Sequence, residues 1–112
     1  MIDTTEQYLR QILSKSFNSY KSFKYEAITV TGTLSTLTVP DGAIYADMRL
    51  ESTAIGNAAR FLQNKSVEVT STVGMPLSAG SILEVKDFAN LNGFQIIKDQ
   101  AGTTVLHVQY YK

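Results

Sequence analysis

The residue types that perform most protein chemistry are scarce in this chain. His107 is the only histidine among 112 residues, and there is no cysteine. No serine lies in a G-x-S-x-G turn, so a nucleophile–base pair has few ways to form around His107. We interpret His107, which could in principle be a general base, as a mid-strand residue hydrogen-bonded at a sheet surface. The chain also has no P-loop and no G-x-G-x-x-G motif. We therefore expect no catalytic residue, no cofactor and no metal site, and hence no enzyme.

Two pairs of carboxylates are spaced closely enough to consider for glycoside hydrolysis. They are Asp47 with Glu51, and Glu84 with Asp87. A glycosidase needs two carboxyl groups that face each other across a sugar. Both pairs are interpreted more simply as the solvated faces and ends of strands.

Aromatic and basic residues interleave between residues 15 and 25. This pattern can form a stacking platform for single-stranded nucleic acid. However, ten basic residues balance ten acidic ones, and phosphate binding normally requires a basic excess. We therefore expect these aromatic residues to contact protein, either their own domain or a neighbouring chain. The residues are Phe17, Tyr20, Phe23 and Tyr25 with Lys15, Lys21 and Lys24.

Length and composition indicate one folded domain. A hydrophobic content of 44% with balanced charge argues against disorder. No apolar run approaches the roughly 18 residues of a membrane span, and the first residues do not match a Sec signal. The missing cysteines are compatible with a reducing compartment. We expect a protein that neither crosses a membrane nor enters the Sec pathway.

The N-terminal segment predicts an amphipathic helix. Thr4 or Thr5 can cap a helix over residues 3–17, and apolar residues recur at three-to-four spacing. Such a stripe must be covered by its own domain or by a neighbour. Residues 1–24 are therefore predicted to form a helical arm and connector, and residues 25–112 a separate β domain. The predicted interface residues are Leu9, Ile12, Leu13, Phe17, Tyr20 and Phe23.

From Tyr25 onward the apolar residues alternate with a period of two. In the third predicted strand Ile44, Ala46, Met48 and Leu50 share a face predicted to be core. The Asp99-Gln-Ala-Gly102 sequence predicts a hairpin between the last two strands. With no βα alternation, the fold class is mainly β: a small antiparallel β-sandwich, jelly-roll or immunoglobulin-like, preceded by one helix. The predicted strands are 25–31, 33–39, 43–51, 59–63, 66–72, 81–86, 94–98 and 103–111.

Residues from about 38 to 110 resemble a set of small bacteriophage virion proteins. In that set a V-P-x-G-A turn leads to an extended strand, and a T-x-G-x-x-L-x-A-G turn precedes the closing strands. The matching sequences here are Val39-Pro-Asp-Gly-Ala43 and Thr72-Val-Gly-Met-Pro-Leu-Ser-Ala-Gly80. The predicted N-terminal helix lies outside the resemblance.

The resemblance implies a structural component of a phage particle without catalytic residues. The expected role is a capsid decoration or head-associated accessory protein, assembled in the host cytoplasm and incorporated into the virion. Its partners would be copies of itself and other virion proteins such as the major capsid protein. The alternatives are a neck or tail component, or a carbohydrate- or ligand-binding β module that uses Tyr45, Tyr110 or Tyr111 as a platform.

Overall fold

The computed structural model describes residues 21–112, which form two antiparallel sheets in a sandwich-like arrangement. A short helix, α1 (Phe88–Asn92), precedes the seventh strand. The strands are β1 (Ser22–Thr29), β2 (Ser35–Thr36), β3 (Tyr45–Ser52), β4 (Asn57–Leu62), β5 (Met75–Ser78), β6 (Ile82–Lys86), β7 (Gln95–Lys98) and β8 (Thr104–Tyr111). The first sheet has the order β1-β8-β3-β6, and the second has the order β2-β7-β4-β5. The prediction of a mainly β, sandwich-like fold is confirmed.

The centre of the first sheet is the pairing of β3 with β8. Met48 lies opposite Val108, and Leu50 lies opposite Leu106. These four side chains are buried, because alternation turns them all toward the second sheet. Burial of each such side chain stabilises the fold by about 1.5–3 kcal/mol. The predicted core face of the third strand is therefore confirmed from Ala46 onward.

Ile44 was predicted to lie on that core face, and this prediction is wrong. It precedes β3, and 45% of its surface is exposed. Its backbone N–H donates to the carbonyl of Tyr111 at 3.0 Å, and its carbonyl accepts from the N–H of Asp87 at 2.9 Å. Ile44 thus continues the sheet hydrogen bonding at the end of the sandwich, where little protein covers its side chain.

The inner face of the second sheet completes the core. Phe61 in β4 stacks on Phe94, with ring centroids 5.7 Å apart and an interplanar angle of 22°. Leu77 in β5 and Ile96 in β7 are buried beside them. Each sheet therefore buries one face against the other, as in other two-layer β domains.

The predicted hairpin between the last two strands is wrong. β7 belongs to the second sheet and β8 to the first. The N–H of Asp99 still donates to the carbonyl of Ala58 near the start of β4, whereas the carbonyl of Thr103 accepts a bond from the N–H of Thr53 after β3. Residues 99–103 therefore cross from one sheet to the other. A strand joins the sheet in which its apolar face is buried, and nearness in sequence does not decide this.

The predicted strand 66–72 is also wrong. Residues 67–70 form no strand, and the backbone N–H of Val69 bonds to the side chain of Gln95. A strand forms at Met75–Ser78 instead, within the sequence expected to be a turn. Its Pro76 is compatible with this position because β5 is an edge strand of the second sheet.

Other predicted boundaries move by a few residues. β1 begins at Ser22 instead of residue 25, and the predicted strand 33–39 shortens to Ser35–Thr36. Helix α1 was not predicted. It follows Asp87, whose φ of 76° turns the chain out of β6. The predicted helix of residues 3–17 lies outside the described residues.

Candidate interaction surface

The solvent-facing side of the first sheet carries several of the residues that the sequence singled out, among them His107, Tyr45 and Tyr111. We call it the outer face. It consists of Tyr45, Asp47, Arg49 and Glu51 of β3, with the residues in the same rows of β1, β6 and β8. Alternation places these residues opposite the buried face of the same strands.

His107 lies in the middle of the outer face. Its Nδ1 atom is 2.5 Å from the hydroxyl oxygen of Tyr25, and its Nε2 atom is 3.5 Å from Oε1 of Glu51. The rings of Tyr25 and His107 also stack, with centroids 6.0 Å apart. The imidazole therefore has a partner at each nitrogen, in agreement with the prediction of a hydrogen-bonded histidine at a sheet surface.

A shallow groove of about 420 Å³ lies beside His107. Its walls include Arg49, Glu51, Gly80 and Ile82. A guanidinium, a carboxylate and an exposed isoleucine are thus side by side. Such a groove can accept hydrogen-bonding groups on one side and apolar groups on the other.

Two tyrosines occupy one end of the outer face. The rings of Tyr45 and Tyr111 meet edge to face with centroids 5.1 Å apart. Burial raises the pKa of the Tyr45 phenol, and the nearby carboxylates of Glu84 and Asp47 raise it further. Glu84 also hydrogen-bonds with Tyr45.

Tyr110 cannot belong to the proposed aromatic platform. Alternation turns its side chain inward, and it is fully buried. Burial raises the pKa of its phenol well above the usual range, with a further contribution from the neighbouring Glu26. Only Tyr45 and Tyr111 of the three suggested platform residues therefore lie on the outer face.

The carboxylate pairs considered for glycoside hydrolysis do not face each other across a cleft. Asp47 and Glu51 lie about 13 Å apart along β3, at about 3.3 Å per residue. The Glu51 side chain is 76% exposed. Asp87 lies beyond the end of β6, at the start of α1. The interpretation as solvated faces and ends of strands agrees with these positions.

Sequence reasoning missed one carboxylate pair. Asp47 and Glu84 are direct cross-strand neighbours in the pairing of β3 with β6. The alternation of each strand indicated that both residues face solvent. Their pairing could not be predicted, because it depends on the register of two strands that are separated in sequence by β4 and β5 of the second sheet.

Of the six predicted interface residues, the structure describes Phe23. It lies in β1 at a β-bulge, half-buried against the core, with the Nζ atom of Lys112 4.9 Å from its ring centroid. Phe23 therefore contacts its own domain. The other five predicted interface residues, Leu9, Ile12, Leu13, Phe17 and Tyr20, lie outside the described residues.

Residues 21–112 contain neither a cluster of metal-ligating side chains nor a helix that could span a membrane. No group of three or more His, Cys, Asp or Glu side chains in this range is placed to hold a metal ion. No helix in the same range is long and apolar enough to cross a membrane. In comparisons with known proteins, no protein family, no curated protein and no solved structure matches this chain.

Proposed function

We propose that this protein is a non-enzymatic structural component of a bacteriophage particle. In this proposal it is a capsid decoration or head-associated accessory protein that assembles in the host cytoplasm through symmetric protein–protein contacts. Its partners are copies of itself and other virion proteins such as the major capsid protein. The turn sequences that resemble phage virion proteins suggest this role.

The observation that supports the proposal most directly is the order of the strands. The two sheets, β1-β8-β3-β6 and β2-β7-β4-β5, interleave strands from both halves of the chain. This order is that of an eight-stranded double-sheet jelly roll, and we infer the jelly roll as the finer description of the fold. Jelly rolls recur in viral capsid domains and in lectins.

The chemistry of the outer face is compatible with a protein interface. Tyrosine and arginine are the residue types enriched among side chains that dominate binding energy, and Tyr25, Tyr45, Tyr111 and Arg49 share this face. His107 has both nitrogens engaged by neighbours, and the carboxylates face solvent. The face thus resembles a contact surface more than a reaction centre.

Sedimentation velocity of the full chain across micromolar concentrations tests the proposal. We expect a closed oligomer of defined size. Replacing Ile12 and Leu13 with Ser should yield monomers while the β signature in circular dichroism is unchanged. Replacing Gln7 and Gln11 with Ser is the matched control and should leave the oligomer intact. A wild-type monomer at every concentration that also fails to bind phage particles would contradict the proposal.

A carbohydrate-binding module is the second candidate, supported by the groove beside His107 and the Tyr45–Tyr111 pair. Lectins use the same jelly-roll architecture. A glycan array separates the two functions: saturable binding to one sugar class, lost in Arg49→Ala, would favour the lectin-like function. The genes on either side of this one also discriminate, since a major capsid gene favours the head and tail-tube or fibre genes favour a neck or tail position.

A further inference from the structure

Two carboxylates on the outer face lie opposite each other, and neither forms an ion pair within residues 21–112. Asp47 and Glu84 are direct partners across β3 and β6. Like charges in this position destabilise a sheet. Within residues 21–112, ion pairs join Arg60 with Asp99 and His107 with Glu51, and none reaches Asp47 or Glu84. Arg49 and Lys86 lie on the same face but are not ion-paired with either carboxylate.

The same face exposes apolar surface beside these carboxylates. Tyr25 is 57% exposed and Ile82 is 58% exposed. They lie at opposite edges of the sheet, on β1 and β6, in adjacent rows. The outer face therefore has an exposed apolar side chain at each edge and an acidic pair on β3 and β6. This combination is suited to binding an amphipathic segment that carries positive charge.

The chain contains one segment of that chemistry. Between Glu6 and Glu26 there is no acidic residue, whereas Arg10, Lys15, Lys21 and Lys24 are basic. On the helix predicted for residues 3–17, a turn of about 100° per residue places Arg10 at one border of the apolar stripe and Lys15 at the other. Basic side chains that border an apolar stripe can reach carboxylates beside an apolar surface.

The size of the predicted helix and the point where the N-terminal segment joins the domain are also compatible with binding to the outer face. A helix of fifteen residues is about 22 Å long and about 10 Å wide. Four strands of up to eight residues provide a face of roughly 19 by 26 Å. Lys21 and Lys112 exchange two backbone hydrogen bonds of 3.0 Å, so the N-terminal segment joins the domain at one end of this same sheet.

We propose that the outer face is the docking site for the N-terminal segment of a second copy of this chain. The apolar stripe of Leu9, Ile12, Leu13 and Phe17 lies against the face, and Arg10 and Lys15 neutralise the Asp47–Glu84 pair. This inference rests on the proposed assembly function and adds to it the surface and the segment that form the contact.

Cysteine cross-linking tests the contact, because the chain has no cysteine of its own. One full-length variant carries Leu13→Cys and a second carries Ile82→Cys. A disulfide requires the two Cβ atoms to approach to about 4 Å, so oxidation reports docking. The matched control carries Ile55→Cys in place of Ile82→Cys, since Ile55 is 92% exposed and lies in the segment that crosses from β3 of the first sheet to β4 of the second. We expect the Ile82 pair to cross-link between chains at least about tenfold more than the Ile55 pair.

Charge reversal provides the second measurement. Asp47→Lys with Glu84→Lys in the acceptor chain should abolish cross-linking, and so should Arg10→Glu with Lys15→Glu in the donor chain. Mixing the two reversed chains should restore it. The reversed face still carries a like-charge pair, so repulsion within the sheet changes little.

Several results would overturn the inference. They are equal yields for Ile82 and Ile55, yields that charge reversal leaves unchanged, or a disulfide that forms only within one chain carrying both Leu13→Cys and Ile82→Cys. If the wild type still sediments as an oligomer in those cases, the assembly function stands and the docking surface is elsewhere. If the wild type is always a monomer and binds no particle, the proposed function itself fails.

Discussion

The side chain of Gln95 accepts a hydrogen bond of 3.0 Å from the backbone N–H of Val69, 26 residues earlier in the chain. The same side chain donates to the carbonyls of Asn64 at 2.6 Å and Val67 at 2.7 Å. Gln95 is only 4% exposed. One buried amide therefore provides three backbone hydrogen bonds that a neighbouring strand would otherwise provide.

Replacing Gln95 with Leu should lower the free energy of unfolding by about 2–4 kcal/mol. The substitution keeps the apolar volume but leaves three backbone groups without their partner, and each unsatisfied buried group is costly. Urea denaturation provides the measurement. Gln100→Leu, in an exposed loop, is the control and should change stability by less than about 0.5 kcal/mol. A Gln95→Leu protein of wild-type stability would show that water replaces these bonds.

Gly74→Ala should destabilise the domain by about 2–4 kcal/mol. The φ of Gly74 is 131°, which L-residues rarely adopt, and a Cβ there would lie 2.7 Å from Cγ2 of Val69 and 3.2 Å from the carbonyl oxygen of Phe61. Thermal unfolding measures the effect. Gly32→Ala is the matched control, because no described atom lies within 4 Å of its added Cβ. Similar melting temperatures for the two variants would contradict the close approach at Gly74.

Met48→Asp should prevent folding or cost about 4 kcal/mol or more, because it buries an unpaired charge between the sheets. Met48 is fully buried, whereas its neighbour Arg49 is exposed on the outer face. Arg49→Asp, one residue along the same strand, should therefore retain native circular dichroism. Soluble Met48→Asp protein with a native spectrum would mean that the core face is assigned wrongly.

Tyr110 should make stability fall at high pH. Its pKa is raised in the folded protein by burial and then by Glu26. Folding therefore favours the neutral phenol. The stabilisation that Tyr110 contributes is fully present below its unfolded-state pKa of about 10 and is lost as the pH rises above that value. The free energy of unfolding should decrease through this group by about 1.4 kcal/mol per pH unit.

Denaturant unfolding at pH of about 8 and about 11 isolates this contribution. Tyr110→Phe should lose less stability than the wild type between the two conditions, and Tyr25→Phe, on the outer face, is the matched substitution. Equal losses for wild type and Tyr110→Phe would be inconsistent with a raised phenol pKa in the folded state.

Residues 21–112 should fold without the preceding twenty residues. All eight strands and the Lys21–Lys112 backbone pair lie in this fragment. We expect one cooperative thermal transition and a β-type circular dichroism spectrum. An aggregated or unfolded fragment would show that the N-terminal segment belongs to the core, and a fragment beginning at Glu26, which removes half of β1, should be clearly less stable.

The orientation of side chains in the long strands could be predicted from sequence alone. Alternation places Leu106, Val108 and Tyr110 on one face of the last strand, and all three are buried. The same reasoning assigned Met48 and Leu50 correctly. This works because successive side chains of a strand point to opposite sides, whatever its partner is.

The pairing of strands was decided by the tertiary structure. The sequence between β7 and β8 indicates a hairpin, yet the two strands lie in different sheets. The strand predicted at 66–72 is absent because the buried side chain of Gln95 bonds to that backbone. A local pattern carries no information about a partner that is distant in sequence.

On the outer face, too, the sequence determined the orientation of the side chains and the tertiary structure determined which of them are neighbours. Alternation alone determined that Asp47, Glu84 and His107 point to solvent. Only the fold placed Asp47 opposite Glu84, and His107 against Tyr25, a residue 82 positions away. Register between distant strands is set by burying both sheets together, and this requirement acts on the whole chain instead of on any one segment.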